Sequence, residues 1–281
     1  MREQCKATGE EPKSQNSRHA YEEAITERLR MDGFTLQLMR EAERIASRHR
    51  LPEFYLQFKA PMSLARKMYF DHPQVKFLRE LIRPRLREKL GHGIYHSKRV
   101  SLDSATLIYL ELLSNQEPSA VIERLMMLGQ LAGLLHDICR GQEKHAKAGA
   151  REAMRVLRNF PLTPDELLCI HSAIQNHEAF TQPAACPHPW AQVVSDCLYD
   201  ADKFRWGPDN FTHTLWFMVD HQGLTPQQLI ARFPWGMQGI ARIQETFRTA
   251  TGRQYGPEII EVGMQIGKDI YHYLIKHFLD G

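Results

Sequence analysis

The chain has 281 residues, of which 25% are charged and 43% belong to the hydrophobic set, and its net charge is +3. That length supplies core for one large domain or two small ones, and the composition is ordinary for a globular protein. So small a net charge argues against a general attraction to nucleic acid or to a membrane surface. Five cysteines, Cys5, Cys139, Cys169, Cys186 and Cys197, are scattered with no Cys-x-x-Cys pair. This argues against a cysteine zinc site and for free thiols in a reducing compartment. The first residues contain no apolar run of the signal-peptide type. The longest apolar run, near Leu125–Ile138, contains Gln130, His136 and Asp137 and is too short to span a bilayer. A cytoplasmic protein with no membrane partner is expected.

Met1 to about Ser17 has the polar, Pro- and Gly-containing composition of a mobile tail, and residues 18–281 read as one all-helical domain. Apolar residues at helical spacing predict helix from Tyr21 to about Arg48, with a break at Gly33. Leu51–Pro61 reads as a loop or short irregular segment, and Met62 to about Ile82 as a helix interrupted near His72-Pro73 and ended by Pro84. The basic run Arg79, Arg83, Arg85, Arg87 and Lys89 reads first as a solvated face, with phosphate contact as the alternative. Helices follow over Tyr95–Leu113, over Pro118–Ile138 with a stop at Gly141, and over Glu143–Asn159. Thr163, Pro164 and Glu166 form a capping box for a helix carrying Leu167, Ile170, Ile174 and His177 on one stripe. His171 falls roughly 240° around the wheel from His177 and takes a surface role. On Trp190–Phe204, Val194, Leu198 and Asp202 share a face. Asn210–Asp220, Pro226–Ala231 and a long helix around Pro257–Leu279 fill the core, with Trp206, Trp216 and Trp235 packed there. No segment alternates with period two, so the fold class is all-α.

The argument turns on LAGLLHDICR, Leu131–Arg140, where an apolar run ends in His136-Asp137. A buried ionised carboxylate is costly unless it is paired, hydrogen-bonded or bound to a metal. Alone, the dipeptide reads as an ordinary helix end. Yet His96, His145, His177 and Asp202 also interrupt apolar stripes, each on a different helix. Imidazole with carboxylate and no thiolate suits Mn, Fe, Co, Ni or Zn better than a cysteine-type site.

The order His96 in YHSKRV, His136-Asp137 in LLHDICR and Asp202 in YDADKF resembles the HD superfamily of metal-dependent phosphohydrolases. His145 in HAKAGA and His177 in AIQNHE resemble the additional histidines some members carry. The resemblance covers about residues 91–205 and implies a helical HD-like bundle, here with extra N- and C-terminal helices. It implies an enzyme in which His96, His136, Asp137 and Asp202 hold one divalent ion (Mn, Ni, Co, Fe, Zn or Mg) that activates a water. A second ion is left open, with Asp137 bridging and His145 and His177 as ligands. Asp137 and Lys203 would be catalytic, and Arg99, Arg140 and Lys203 would meet the phosphate, with helix packing an equal reading for Arg99. The substrate would be a small phosphate ester, with a nucleotide or nucleotide-derived signal as the first expectation. The chain departs from the family at Cys139, where a Gly is common, at Glu178, where the bimetal branch has a second His, and in lacking a Gly-Tyr-Pro signature. A two-iron oxygenase and a non-catalytic regulatory domain retaining the metal shell are the alternatives, and nucleic-acid binding is the weakest reading.

Overall fold

The computed structural model describes residues 31–86 and 91–279, and the expected tail, the helix start at Tyr21, Arg87 and Lys89 lie outside them. Among the described residues there are twelve α-helices and no strand, so the fold is all-α. In chain order they are α1 Gly33–Ala46, α2 Glu53–Gln57, α3 Lys59–Asp71, α4 Pro73–Ile82, α5 Ile94–Ser114 and α6 Ser119–Leu135, then α7 His145–Val156, α8 Pro164–Gln175, α9 Pro189–Lys203, α10 Leu215–Gln222, α11 Pro226–Ala241 and α12 Ala250–Phe278. Their starts follow from short-range chemistry. Asp32 accepts from the backbone of Phe34 and Thr35 to begin α1. Thr163 and Thr225 each form a capping box, with proline at the first position of α8 and α11.

From Leu125 to Leu135 helix α6 is apolar but for Gln130, and every one of these residues is buried, the mark of a central helix. It lies against α5, α8 and α9, with α3 and α4 covering one side and α1, α10, α11 and α12 forming the rest of the body. The contact between α5 and α6 is unusually close because small residues face each other. A Cβ added to Gly133 would lie 2.6 Å from Ser101 Cα and 2.7 Å from its backbone nitrogen, and Ser101 Oγ donates to Gln130 O at 3.1 Å. In an exposed helix Gly→Ala gains roughly 1 kcal/mol. Here the sign should reverse, with Gly133→Ala costing about 1–3 kcal/mol because the helices must move apart. Urea unfolding checks this, and an alanine variant as stable as the parent would refute the close approach.

Several boundaries differ from the sequence reading. Leu51–Pro61 holds helix α2 and the start of α3, because Phe54 is fully buried and draws the segment onto the core. Helix α6 ends at Leu135, six residues before Gly141, since the backbone passes into successive tight turns at His136 (Ile138 N to Leu135 O 3.1 Å, Arg140 N to Asp137 O 2.8 Å). Helix α12 begins at Ala250, capped by Thr249, and runs through Pro257. Trp216 is buried and Trp206 half-buried, but Trp235 is 80% exposed on α11 and is no core residue.

Candidate metal centre

Five chain segments bring six of the expected residues to one place. His96 sits in the first turn of α5, His136 and Asp137 at the exit of α6, His145 at the start of α7, His177 just beyond α8 and Asp202 in the last turn of α9. His177 therefore follows its helix instead of lying on the stripe, and Asn176 is the cap before it.

Two sets of donor atoms share Asp137. In the first, His96 Nε2 lies 3.1 Å from His136 Nε2, 3.2 Å from Asp202 Oδ1 and 3.8 Å from Asp137 Oδ2. His136 Nε2 is 3.4 Å from Asp137 Oδ2 and 3.8 Å from Asp202 Oδ1. In the second, Asp137 Oδ1 is 3.5 Å from both His145 Nε2 and His177 Nε2, which are 3.2 Å apart. An ion about 2.1 Å from each donor fixes neighbouring donors about 3.0 Å apart at a right angle and about 3.4 Å apart in a tetrahedron. Six of the eight distances are of this size, and the two of 3.8 Å in the first set are longer.

The protons on the imidazoles sharpen the fit. His136 Nδ1 donates to Gly133 O at 2.8 Å and His177 Nδ1 to Ile174 O at 2.6 Å. His145 Nδ1 lies 2.9 Å from Glu178 Oε1. A carbonyl or carboxylate accepts, so the proton sits on Nδ1 and Nε2 presents its lone pair inward. His145 and His177 thus aim two acceptors at each other. Asp137 Oδ1 is buried with no hydrogen-bond partner, which is costly for a charged oxygen. A metal ion between these atoms would satisfy all of them; the cation they face here is Arg140 Nη1, 3.1 Å from His145 Nε2 and 3.5 Å from Asp137 Oδ1. Glu178, the departure from the bimetal pattern, orients His145 in place of adding a ligand.

For Asp137, Asp202, His96 and His145 the electrostatics agree with ligand duty. Burial would raise Asp137, but the adjoining His136 imidazole and its neighbours outweigh it and hold the carboxyl well below the usual carboxylate range. Burial opposes ionisation of Asp202 as well, and the Lys203 ammonium with His96 overcomes it. Burial pushes His96 and His145 down, toward the neutral form that ligates metals. His136 is raised, because Asp137 and Asp202 together exceed its burial.

The cluster opens into a cavity of about 730 Å³ whose wall includes His92, Arg140, Lys203 and residues of α10 and α11. No family model, curated protein or solved structure matches this chain.

Of the expected phosphate contacts, Arg140 lines the cavity with Nη1 3.1 Å from His145 Nε2 and 3.5 Å from Asp137 Oδ1. Lys203 lines it too, but its ammonium is buried on Asp202 Oδ2 and lies over the Tyr199 ring. Arg99 does not line the cavity. It pairs with Asp209 at 3.3 Å and lies over Tyr55, the helix-packing reading. The described members of the basic run also stay away: Arg79 donates to Tyr69 O, Arg83 pairs with Glu80 and Arg85 with Glu152. His171 is outside the cavity wall.

One residue escaped the sequence reading. His92 lines the cavity, with its ring 4.8 Å from that of His96, and burial pushes its pKa down to about 3. The i, i+4 spacing of His92 and His96 in GHGIYH was the available signal. Gly91 sets its approach with φ of +77°, where a Cβ would lie 2.6 Å from Thr214 Cα.

Proposed function

We propose that this chain is a metal-dependent phosphohydrolase of the HD type, which hydrolyses a phosphate ester with water. The carrying observation is the set of Nε2 lone pairs converging on a buried carboxylate, one of whose oxygens has no hydrogen bond. His96, His136, Asp137 and Asp202 would hold one divalent ion, and Asp137, His145 and His177 offer a place for a second. A bound divalent ion supplies Lewis acidity to a phosphoryl oxygen and acidifies a water.

The chain's own groups do the rest. Arg140 reaches the cavity side of the cluster, where its fork suits a phosphoryl oxygen. Lys203 acts as a positioning residue: by taking the outer oxygen of Asp202 it leaves Oδ1 turned toward His96. Loss of one charge-assisted hydrogen bond to the substrate costs about 1.5–3 kcal/mol. Arg140→Met should therefore raise KM roughly ten- to a hundredfold with metal content unchanged, checked by steady-state kinetics and elemental analysis on the same preparation.

The second donor set also favours one other reading, a two-iron oxygenase. Elemental analysis of protein purified without added metal or chelator, paired with phosphate release from a panel of esters, separates the two. Divalent metal with phosphate release supports the hydrolase. Two irons per chain with no phosphate release supports the oxygenase. No metal and no activity after reconstitution with manganese would overturn both.

A further inference from the structure

The cavity changes character along its length. One part of its wall holds the His/Asp cluster, Arg140 and the buried Lys203. Elsewhere on the wall, α10 and α11 present an apolar patch of Leu215, Met218, Val219, Leu229, Phe233 and Met237. None of these side chains carries a conventional hydrogen-bond donor or acceptor. Polar groups lie around this patch: Gln222 and Arg232 are exposed and bonded to each other at 3.1 Å, and Asn210, Thr214 and Trp235 also line the cavity. Arg242 is exposed and stacked over Phe180 at 4.5 Å. Its volume, about 730 Å³, suits a whole organic ligand.

A nucleobase laid on these six side chains would leave its polar edge unpartnered, at a desolvation cost they do not offset. A hydrocarbon tail on the same six side chains buries apolar surface against apolar surface.

We infer that the substrate is an amphiphilic phosphate monoester, a phosphate head on a long apolar tail, with the head at the His/Asp cluster and the tail along α10 and α11. The inference rests on the hydrolase reading for its chemistry. In that step the water oxygen bonds to phosphorus and the ester P–O bond breaks. The alcohol oxygen leaves with one of the water's protons, so no oxidant or further reactant is needed.

Full burial gains about fourfold in affinity per methylene. With the metal-loaded protein and esters kept below micelle formation, kcat/KM should rise at least tenfold from n-butyl phosphate to n-octyl phosphate. AMP should fall at least tenfold below the octyl ester. Met218→Trp, and independently Leu215→Trp one turn earlier, should plug the tail path and remove the octyl advantage while the butyl ester is still cleaved. A rate flat with chain length, or a preference for AMP, overturns the inference and leaves the hydrolase reading standing.

Calorimetry with octylphosphonate and butylphosphonate, whose P–C bonds resist hydrolysis, decides the tail site without turnover. Tenfold tighter binding of the octyl compound, lost in the plugged variants, supports the tail site even if no ester is cleaved, in which case the hydrolase reading is the part that fails. Equal binding of the two phosphonates overturns the tail site whatever the kinetics show.

Discussion

Asp137→Asn should strip the protein of bound metal and of phosphatase activity together, while its helical circular dichroism stays that of the parent. Asp137 is the only residue common to both donor sets, through Oδ2 to His96 and His136 and through Oδ1 to His145 and His177. An amide keeps the shape, removes the charge and puts an N–H where one donor oxygen was. Losing a partner outside the ligand shell already costs a metal site 10–100-fold in affinity. Losing the shared ligand should cost at least about a hundredfold. The fold should survive, because the new N–H can donate to an imidazole Nε2 and a buried charge has been removed. Metal per folded chain by elemental analysis is the first readout and phosphate release the second. A variant that kept both within a few-fold of the parent would show that the cluster is a polar core and that the metal binds elsewhere.

How much of the fold and the site is legible in the sequence depends on range. The capping boxes at Thr163 and Thr225 and the break at His72-Pro73 rest on neighbours within four residues, and the first and last of these are legible from the residues alone. The six His and Asp residues are legible as polar interruptions of apolar stripes, a signal that survives without knowing which helices touch. What the stripes cannot give is direction. Helical periodicity continues through Ile138, yet the chain leaves the helix at Leu135 so that His136 and Asp137 point to one side. Arg99 looks as eligible for phosphate as Arg140, since proximity in sequence to His96 says nothing about Asp209, one hundred and ten positions away, which claims it. The cavity is illegible for the same reason. Its apolar wall comes from α10 and α11, outside the stretch that carries the motifs, and Leu215, Met218 and Leu229 read as ordinary core until the cleft between those helices and the cluster is seen. Trp235 follows the usual rule for a large apolar residue, which only tertiary packing could overrule.

Removing Arg205 should be the most destabilising single change beside the site. Arg205 follows α9 by two residues and is buried, donating to Asp103, to Asp209 and to the hydroxyl of Tyr55, which itself donates to Asp103 at 2.9 Å. Asp209 has a second cation in Arg99 at 3.3 Å. The four charged groups balance, and they tie α2, α5 and the exit of α9 together next to Asp202. Arg205→Leu leaves Asp103 buried without its cation, and breaking a buried pair from one side costs about 3–5 kcal/mol. The double variant Asp103→Leu/Arg205→Leu removes the stranded charge as well as its partner. It keeps Arg99 with Asp209, and replacing a whole buried pair by apolar groups is often close to neutral. The double variant should therefore recover at least half of the single variant's loss, a coupling that urea unfolding of the parent, both single variants and the double variant reads directly. Additive losses would mean that Arg205 stabilises through the packing of its stem. A loss under about 1 kcal/mol would mean that water reaches Asp103, since exposed pairs contribute that little. Metal per folded chain should be unchanged in the double variant, because the carboxylate of Asp202 is held by Lys203 and not by Arg205.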